Sequence, residues 1–465
     1  MPDPGRYTPL LFWLAAFAMA GLTAGLGYVT GQSDFGYILG FYAPLFLLYL
    51  LLFNLAGKSQ APPLAYFIGL AVGLRVLLLF AEPGLSDDIY RFVWDGRLLV
   101  QGINPFDQLP VYYIENGIRV PGITEALFRE LNSPEYFTIY PPMAQATFAL
   151  AAWLIPESVS GSALVMKGFL LLCELGTLWL LIRLLQHFRL PPKNILLYAL
   201  NPLIIVEIMG NLHYEGAMVF FLLLAFWWLT QDRWRLSAVA IALSVASKLL
   251  PLMFLPFLIR RLGWRRSIAY FAITGGVLLL LFFPLASGVF LSNFGDSLDL
   301  YFRKFEFNAS VYYLVRWVDF QRLGYNNIAR IGPWLAIITA AGILLLAALE
   351  RDHSWRKLPA RWLFAICLYL FLTTTVHPWY LSLPVGLCLF TRFRFPILWS
   401  GLVFLTYLNY SYDPYWENLW VVALEYALVI GMLGWELFFQ EEGKRKKQVI
   451  VRREVKERLS AFLNR

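Results

Sequence analysis

Runs of apolar residues approaching the ~20 that a helix needs to cross a bilayer recur along the chain from Leu10 to Phe439. Inside lipid there is no water to bond an exposed N–H or C=O, so such segments must satisfy their own backbone, as helices do. The alternation over about ten residues that marks a membrane β-barrel is missing. Only 15% of the 465 residues are charged and 59% are hydrophobic, against about 25% charged in soluble proteins. A soluble fold and a disordered chain are both excluded. The expectation is an all-α polytopic membrane protein.

The apolar segments fall near 8–30, 37–56, 64–82, 162–183, 194–210, 214–230, 236–249, 250–260, 267–287, 331–349, 361–376, 379–391, 396–410 and 418–439. At ~20 residues per crossing this predicts a bundle of about 12–14 transmembrane helices. Arginine and lysine gather on the cytoplasmic side of such proteins. Here they cluster at Arg183/Arg189/Lys193, Arg233/Arg235, Arg260/Arg261/Arg265/Arg266, Arg351/Arg356/Lys357/Arg361 and Arg392/Arg394, and beyond Gln440. Taking these as inside puts 83–140, 211–213, 288–330, 376–378 and 411–417 outside a plasma membrane, with both termini cytoplasmic. Segment 142–155 is short and bounded by Pro141, Pro142 and Pro156, so it reads as a helix lying at the outer surface. Segment 236–260 is basic at both ends and interrupted by Pro251 and Pro256. A broken hairpin with Lys248 near its tip satisfies both facts. The chain thus divides into a membrane domain over 1–440 and a basic cytoplasmic tail over 441–465.

That tail carries +5 of the formal charge of +8, as expected of a segment lying against a membrane surface. The nearly neutral remainder offers no basic face for nucleic acid. Cys173, Cys367 and Cys388 sit singly in apolar runs, which gives neither a disulfide framework nor a metal site. The first apolar run is long and lacks a small-residue cleavage site, so it reads as a retained span and not a signal peptide.

The chemistry concentrates in a few polar clusters. Ser86-Asp87-Asp88-Ile89-Tyr90-Arg91 runs on to Asp95-Gly96-Arg97 directly after the third apolar run. On a helix Asp88, Arg91 and Asp95 share a face. Adjacent carboxylates at a membrane–water boundary can act as a general base or hold a divalent cation such as magnesium or manganese. The other clusters are Asn211-Leu212-His213-Tyr214-Glu215, Lys248 at the hairpin tip, His377-Pro378-Trp379-Tyr380, and Tyr140-Pro141-Pro142 at the end of the first long loop. Turn polarity alone would scatter such groups over both faces, yet the arginine pattern puts all of them on one. Arg75, Lys167, Glu174 and Glu207 lie within apolar runs, where ionised groups are costly and are paired. They are read as structural, with pairing across helices.

These blocks resemble the GT-C superfamily of integral-membrane glycosyltransferases, and within it the mannosyltransferases that use polyprenyl-phosphate mannose. The resemblance rests on Asp87-Asp88-Ile89-Tyr90-Arg91, Trp94-Asp95-Gly96-Arg97 and Gly102-Ile103-Asn104-Pro105-Phe106. It continues through Ile139-Tyr140-Pro141-Pro142, Asn201-Pro202, Gly210-Asn211-Leu212-His213-Tyr214-Glu215, Lys248-Leu249-Leu250-Pro251 and His377-Pro378-Trp379-Tyr380. It implies a GT-C-like bundle with long extracytoplasmic loops, in which 83–140 carries the active site and Asp87 and Asp88 occupy the catalytic acidic position. Arg91, Asp95, Arg97, Tyr140, His213, Glu215, Lys248 and His377 are the expected substrate-binding residues. Where the family's turn often carries Asp after its His, this chain has Glu215.

The implied reaction transfers a hexose, mannose by the resemblance, from a polyprenyl-phosphate sugar to a hydroxyl of a glycan or glycolipid acceptor on the extracytoplasmic face. A carboxylate takes the acceptor's proton, cations stabilise the departing phosphate, and one base with direct displacement inverts the anomeric centre. The alternative is a transporter or flippase of lipid-linked sugars, which would carry inverted repeats and helices broken at midplane. A structural membrane subunit is a third reading, and it leaves the one-sided polar clusters without a role.

Overall fold

A computed structural model describes residues 8–439, so the 441–465 tail lies outside the described residues. Among these residues the regular secondary structure is all helical, with a single isolated bridge between Phe307 and Thr375. Six helices are long and apolar enough to cross a membrane: Pro9–Tyr28, Phe35–Leu55, Val159–His187, Trp264–Leu285, Ile328–Ala348 and Leu419–Phe439. A bent pair, Pro192–Ala199 with Pro202–Gly210, makes a seventh if it counts as one span. Leu64–Phe80, Glu215–Thr230 and Trp234–Ser247 are shorter apolar helices. The protein is an all-α polytopic membrane protein.

The helices are built for two solvents. In Phe35–Leu55 the positions Ile38, Tyr42, Leu45, Tyr49 and Leu52 form one buried stripe. Tyr37 and Leu47, on the other side, are exposed. Such a helix packs inward on one face and meets lipid chains on the other.

Buried charges tie the bundle together. Arg75 donates from Nε to Glu174 at 2.9 Å and from Nη1 to the carbonyls of Ala71 and Ala199. The Tyr198 hydroxyl donates to the same carboxylate at 2.7 Å. Lys167 does not join this pair. Its ammonium donates to the Leu78 and Ala81 carbonyls and so satisfies the C-terminal end of the third apolar helix. Glu207 accepts from the Tyr407 hydroxyl at 2.9 Å, which fastens the bent pair to the Val403–Ser411 segment. Of these four residues Arg75 and Glu174 form the expected ion pair, whereas Lys167 is held by carbonyls and Glu207 by a hydroxyl.

The Trp234–Ser247 helix ends at Lys248, whose backbone is extended, and a nine-residue 3-10 segment, Leu250–Leu258, follows. Pro251 and Pro256 lack the N–H donors of an α-helical ladder. At a rise of ~2.0 Å per residue the segment spans about 18 Å. It returns the chain to the end where it began: the Ser267 hydroxyl donates to the Ile259 carbonyl and pairs of Ser237 with Tyr270 and Thr274 with Ala238 follow on the next helix. The broken hairpin with Lys248 at its tip is thus what the chain forms.

The expected outer loops meet on one end of the bundle. Leu85 N–H donates to Asn211, Asn104 to the Leu285 carbonyl, Asn293 to the Phe106 carbonyl, and Asn308 N–H to Glu417. Phe307 pairs through its backbone with Thr374 and Val376. The basic clusters gather elsewhere, with Arg261 and Arg361 on Glu350 and Arg266 on Asp232.

Removing one partner of the buried pair leaves an uncompensated charge. Glu174→Leu alone is expected to cost about 3–5 kcal/mol, whereas Arg75→Leu with Glu174→Leu recovers most of that loss. Thermal melting of the three purified proteins in lipid nanodiscs measures both effects.

Candidate active site

Asp87 and Asp88 open the Asp88–Val100 helix, where the positive end of the helix dipole favours carboxylates. The helix is held by its apolar face. Phe92 stacks on Phe148 of the Pro142–Leu154 helix at 4.5 Å. Gly96 lies so close to that helix that a Cβ would fall 2.3 Å from the Phe148 carbonyl oxygen, and a larger residue would push the carboxylates out of place.

These two carboxylates line a cavity of about 260 Å³ between the gathered loops, together with Arg91, Tyr140, Lys248 and His377. Six of the ten residues singled out in the sequence are therefore brought together. The Asn132 amide donates to Asp87 at 2.7 Å and to Asp88 at 3.0 Å. The Tyr140 hydroxyl donates to the other oxygen of Asp88 at 2.9 Å. Burial, and then the neighbouring Asp88 charge, raise the pKa of Asp87 above the ordinary carboxylate value, with the Asn132 bond opposing them.

Arg91 donates from Nε to Asp95 at 2.8 Å and from Nη1 to the carbonyls of Ser133 and Tyr136. Asp95 is fully buried, outside the cavity wall, and also accepts from Gln145 at 2.9 Å. It orients the guanidinium and does not itself reach the cavity. Arg97 also lies off the cavity, donating to the Gly122 carbonyl at 2.7 Å.

Lys248 sits 3.2 Å from Glu215, close enough for an ion pair though outside hydrogen-bonding geometry, and over the Tyr140 ring at 5.3 Å. Glu215 is fully buried in the first turn of its helix. It therefore acts on the cavity through Lys248. His213, behind the wall, stacks on Trp379 at 3.7 Å and lies 3.3 Å from Glu207. Trp379 in turn stacks with His377 at 4.5 Å, and His377 with Phe307 at 4.8 Å. Burial, followed by the Lys248 charge, lowers the pKa of both histidines, that of His377 to about 3. The Nδ1 atom of His377 is buried without a hydrogen-bond partner among the described residues.

Asn132 and Gln145 escaped the sequence reading, and Glu207 was read there only as a structural charge. Asn132 reaches its carboxylates from 45 positions along the chain, and no spacing rule links a loop asparagine to a distant acid. Trp379 was quoted only as part of its motif. Among the described residues no group of three or more His, Cys, Asp or Glu gathers as a metal site.

Nitrogen-15 NMR of histidine-labelled protein checks the histidine states. His213 and His377 are expected to show neutral rings from pH 7 to pH 5, and Lys248→Gln should raise both pKa values.

Residues 42–263 match a family model described as alpha-(1->6)-mannopyranosyltransferase, N-terminal domain. Alpha-(1->6)-mannopyranosyltransferase A of Corynebacterium glutamicum is 25% identical over 187 residues, 40% of this chain and 36% of that protein. Its namesake from Mycobacterium tuberculosis is 28% identical over 218 residues, 44% of this chain and 40% of that protein. The chain thus spans well under two thirds of the length of these relatives. The stretch matched by the family model holds five of the six expected site residues that line the cavity, all but His377. The resemblance to mannosyltransferases drawn from the motifs is borne out, as a similarity to alpha-(1->6)-mannopyranosyltransferases over residues 42–263.

Proposed function

We infer that the cavity is the active site of a mannosyltransferase that takes mannose from a polyprenyl-phosphate donor to a hydroxyl of a glycan or glycolipid acceptor. The reaction is placed on the extracytoplasmic face of the plasma membrane, in the membrane domain over 1–440. The observation that carries this reading is one cavity, at the end of membrane helices, with carboxylates Asp87 and Asp88 and cations Lys248 and Arg91 on its wall. A donor of this class has a reactive sugar–phosphate bond at the membrane surface, with anion on one side of the reacting carbon and an incoming hydroxyl on the other.

In this account Asp87 is the base. Its raised pKa suits it to accept a proton, because efficiency rises as a base's pKa nears the working pH. Asp88, held by Tyr140 and Asn132, aligns the pair and the sugar. The departing phosphate gains charge as its bond to carbon breaks. Lys248 and Arg91 meet that charge, and the unpartnered His377 Nδ1, when it carries the ring proton, donates to a phosphate oxygen. One base and one displacement give inversion. Asp95 and Glu215 hold the two cations in place. Arg97 keeps a structural role in the loop, outside the chemistry.

Transfer of radiolabelled mannose from polyprenyl-phosphate mannose by the purified protein tests the reading. Asp87→Asn should lower turnover by about 10²-fold or more. The pH profile separates the neighbours. Activity falls on the acid side as Asp87 takes a proton. Asn132→Ala removes a bond that lowers its pKa, so that limb moves to higher pH. Asp88→Asn removes a charge that raises it, so the limb moves to lower pH. Equal profiles in all three proteins would remove Asp87 as the base.

Sidedness is tested by labelling with a membrane-impermeant thiol reagent in intact cells. All three native cysteines are buried. Exposed positions Gln108→Cys and Gln321→Cys should react and Ser354→Cys should not. The reverse pattern would turn the protein over.

A further inference from the structure

Three arginines are buried among the described residues: Arg75, Arg91 and Arg97. Arg75 is paired with Glu174 and Arg91 with Asp95. Arg97 is only 8% exposed and has no ion pair among the described residues. Its Nη1 donates to the Gly122 carbonyl, and its Nε is buried with no hydrogen-bond partner there. Burial lowers its pKa, and no carboxylate offsets that shift. The C-terminal end of its own helix, Asp88–Val100, supplies only part of the missing negative charge. A buried cation left in this condition is costly.

Arg97 lines a cavity of about 340 Å³ that is separate from the candidate active site. It stands about 14 Å along the helix from Asp88. Val100 and Gln101 bring the end of that helix to the cavity, Ala152 and Pro156 the end of the Pro142–Leu154 helix, and Gly122 and Thr124 a loop. Gly122, at φ +82°, packs on the arginine stem so closely that a Cβ would fall 2.9 Å from Arg97 Cδ. Gln101 and Thr124 are exposed and offer an amide and a hydroxyl as further donors. Glu157, the acid on this lining, is exposed and makes no ion pair with the guanidinium.

The cavity is flanked by an apolar surface. Leu150, Trp153 and Leu154 share an exposed face of the Pro142–Leu154 helix, and Val100 is exposed beside the guanidinium. The Ser162 hydroxyl donates to the Ile155 carbonyl, which ties this helix end to Val159–His187, a helix able to cross the membrane. The cavity therefore stands at the level where a membrane span begins. An unpaired arginine at that level, beside exposed tryptophan and leucine, matches an amphiphile with an anionic head and apolar chains. The guanidinium fork suits phosphate oxygens.

We propose that Arg97 and its cavity bind the phosphodiester headgroup of an anionic membrane phospholipid, whose acyl chains lie along Leu150, Trp153 and Leu154. This lipid is a bound ligand and not a substrate, so the proposal does not depend on the transfer reaction. A soluble phosphate offers the arginine the same chemistry, and the test separates the two sources.

The full chain is placed in phosphatidylcholine nanodiscs with a trace of phosphatidylglycerol that carries a diazirine on its acyl chain close to the ester. Cross-links are expected on 97–101, 121–124 and 150–157. Excess unlabelled phosphatidylglycerol should suppress them, and excess phosphatidylcholine or inorganic phosphate should not. Arg97→Gln should lower labelling of these segments about tenfold, as expected for a lost charged hydrogen bond, and leave labelling elsewhere unchanged. Gln101→Glu, at an exposed position, should lower it by giving the guanidinium a carboxylate, and Glu157→Gln should raise it by removing a like charge. Arg119→Gln, an exposed basic residue of the same loop, should label as wild type. Absence of cross-links from these segments, or unchanged labelling in Arg97→Gln, overturns the proposal. Equal suppression by phosphatidylcholine overturns the anionic headgroup, and equal suppression by inorganic phosphate overturns the lipid. The competition needs only the wild type, so it decides the site even where Arg97→Gln does not fold.

Discussion

Lys248 stands where the Trp234–Ser247 helix gives way to a 3-10 return leg, and its ammonium lies 3.2 Å from a fully buried Glu215. Burying Glu215 as an anion is costly without a partner, and the end of a helix lends only part of a charge. The ammonium supplies the rest, and in doing so it is fixed at the cavity wall. Burial first, and its field second, lower the pKa of His213 and His377 and favour their neutral rings. The cavity is thereby left with a small number of full positive charges, placed opposite Asp87 and Asp88, instead of a diffuse cationic surface. The same turn of chain leads into the Leu250–Leu258 return leg with Pro251 and Pro256.

The rest of the bundle follows the same rule of paired charge. Arg75 and Glu174 could not remain ionised alone among apolar helices, and each finds further donors or acceptors in Tyr198 and two carbonyls. Glu207 serves both purposes, since it braces Tyr407 within the bundle and stands beside His213 behind the active-site wall. A rigid base of this sort lets a site on loops keep its geometry, because the loops are stitched together by Asn104, Asn211, Asn293 and Asn308.

Much of this was legible in the chain. The apolar runs dictated helices because lipid leaves the backbone no other choice, and prolines at 251 and 256 between two basic ends dictated the hairpin. The cavity residues Asp87, Asp88, Arg91, Tyr140, Lys248 and His377 could be read because they stand in short, polar motifs between apolar runs. Asp95 and Arg97 show the limit of such reading. Helical periodicity put Asp95 on the face of Asp88 and Arg91, but it cannot say how deep that face lies, and Asp95 proves to be beneath Arg91. Arg97 belongs to the same motif and points to the Gly122 carbonyl instead. Asn132 was invisible because its role arises only when the loop folds back over the start of the helix.

The account turns on where a donor's head group sits. Cryo-electron microscopy of the Asp87→Asn protein in nanodiscs with polyprenyl-phosphate mannose measures this directly. The phosphate is predicted within hydrogen-bonding reach of Lys248 and His377, with the sugar's anomeric carbon facing residue 87. A phosphate bound at the opposite end of the bundle, beside Arg261 and Glu350, would contradict it.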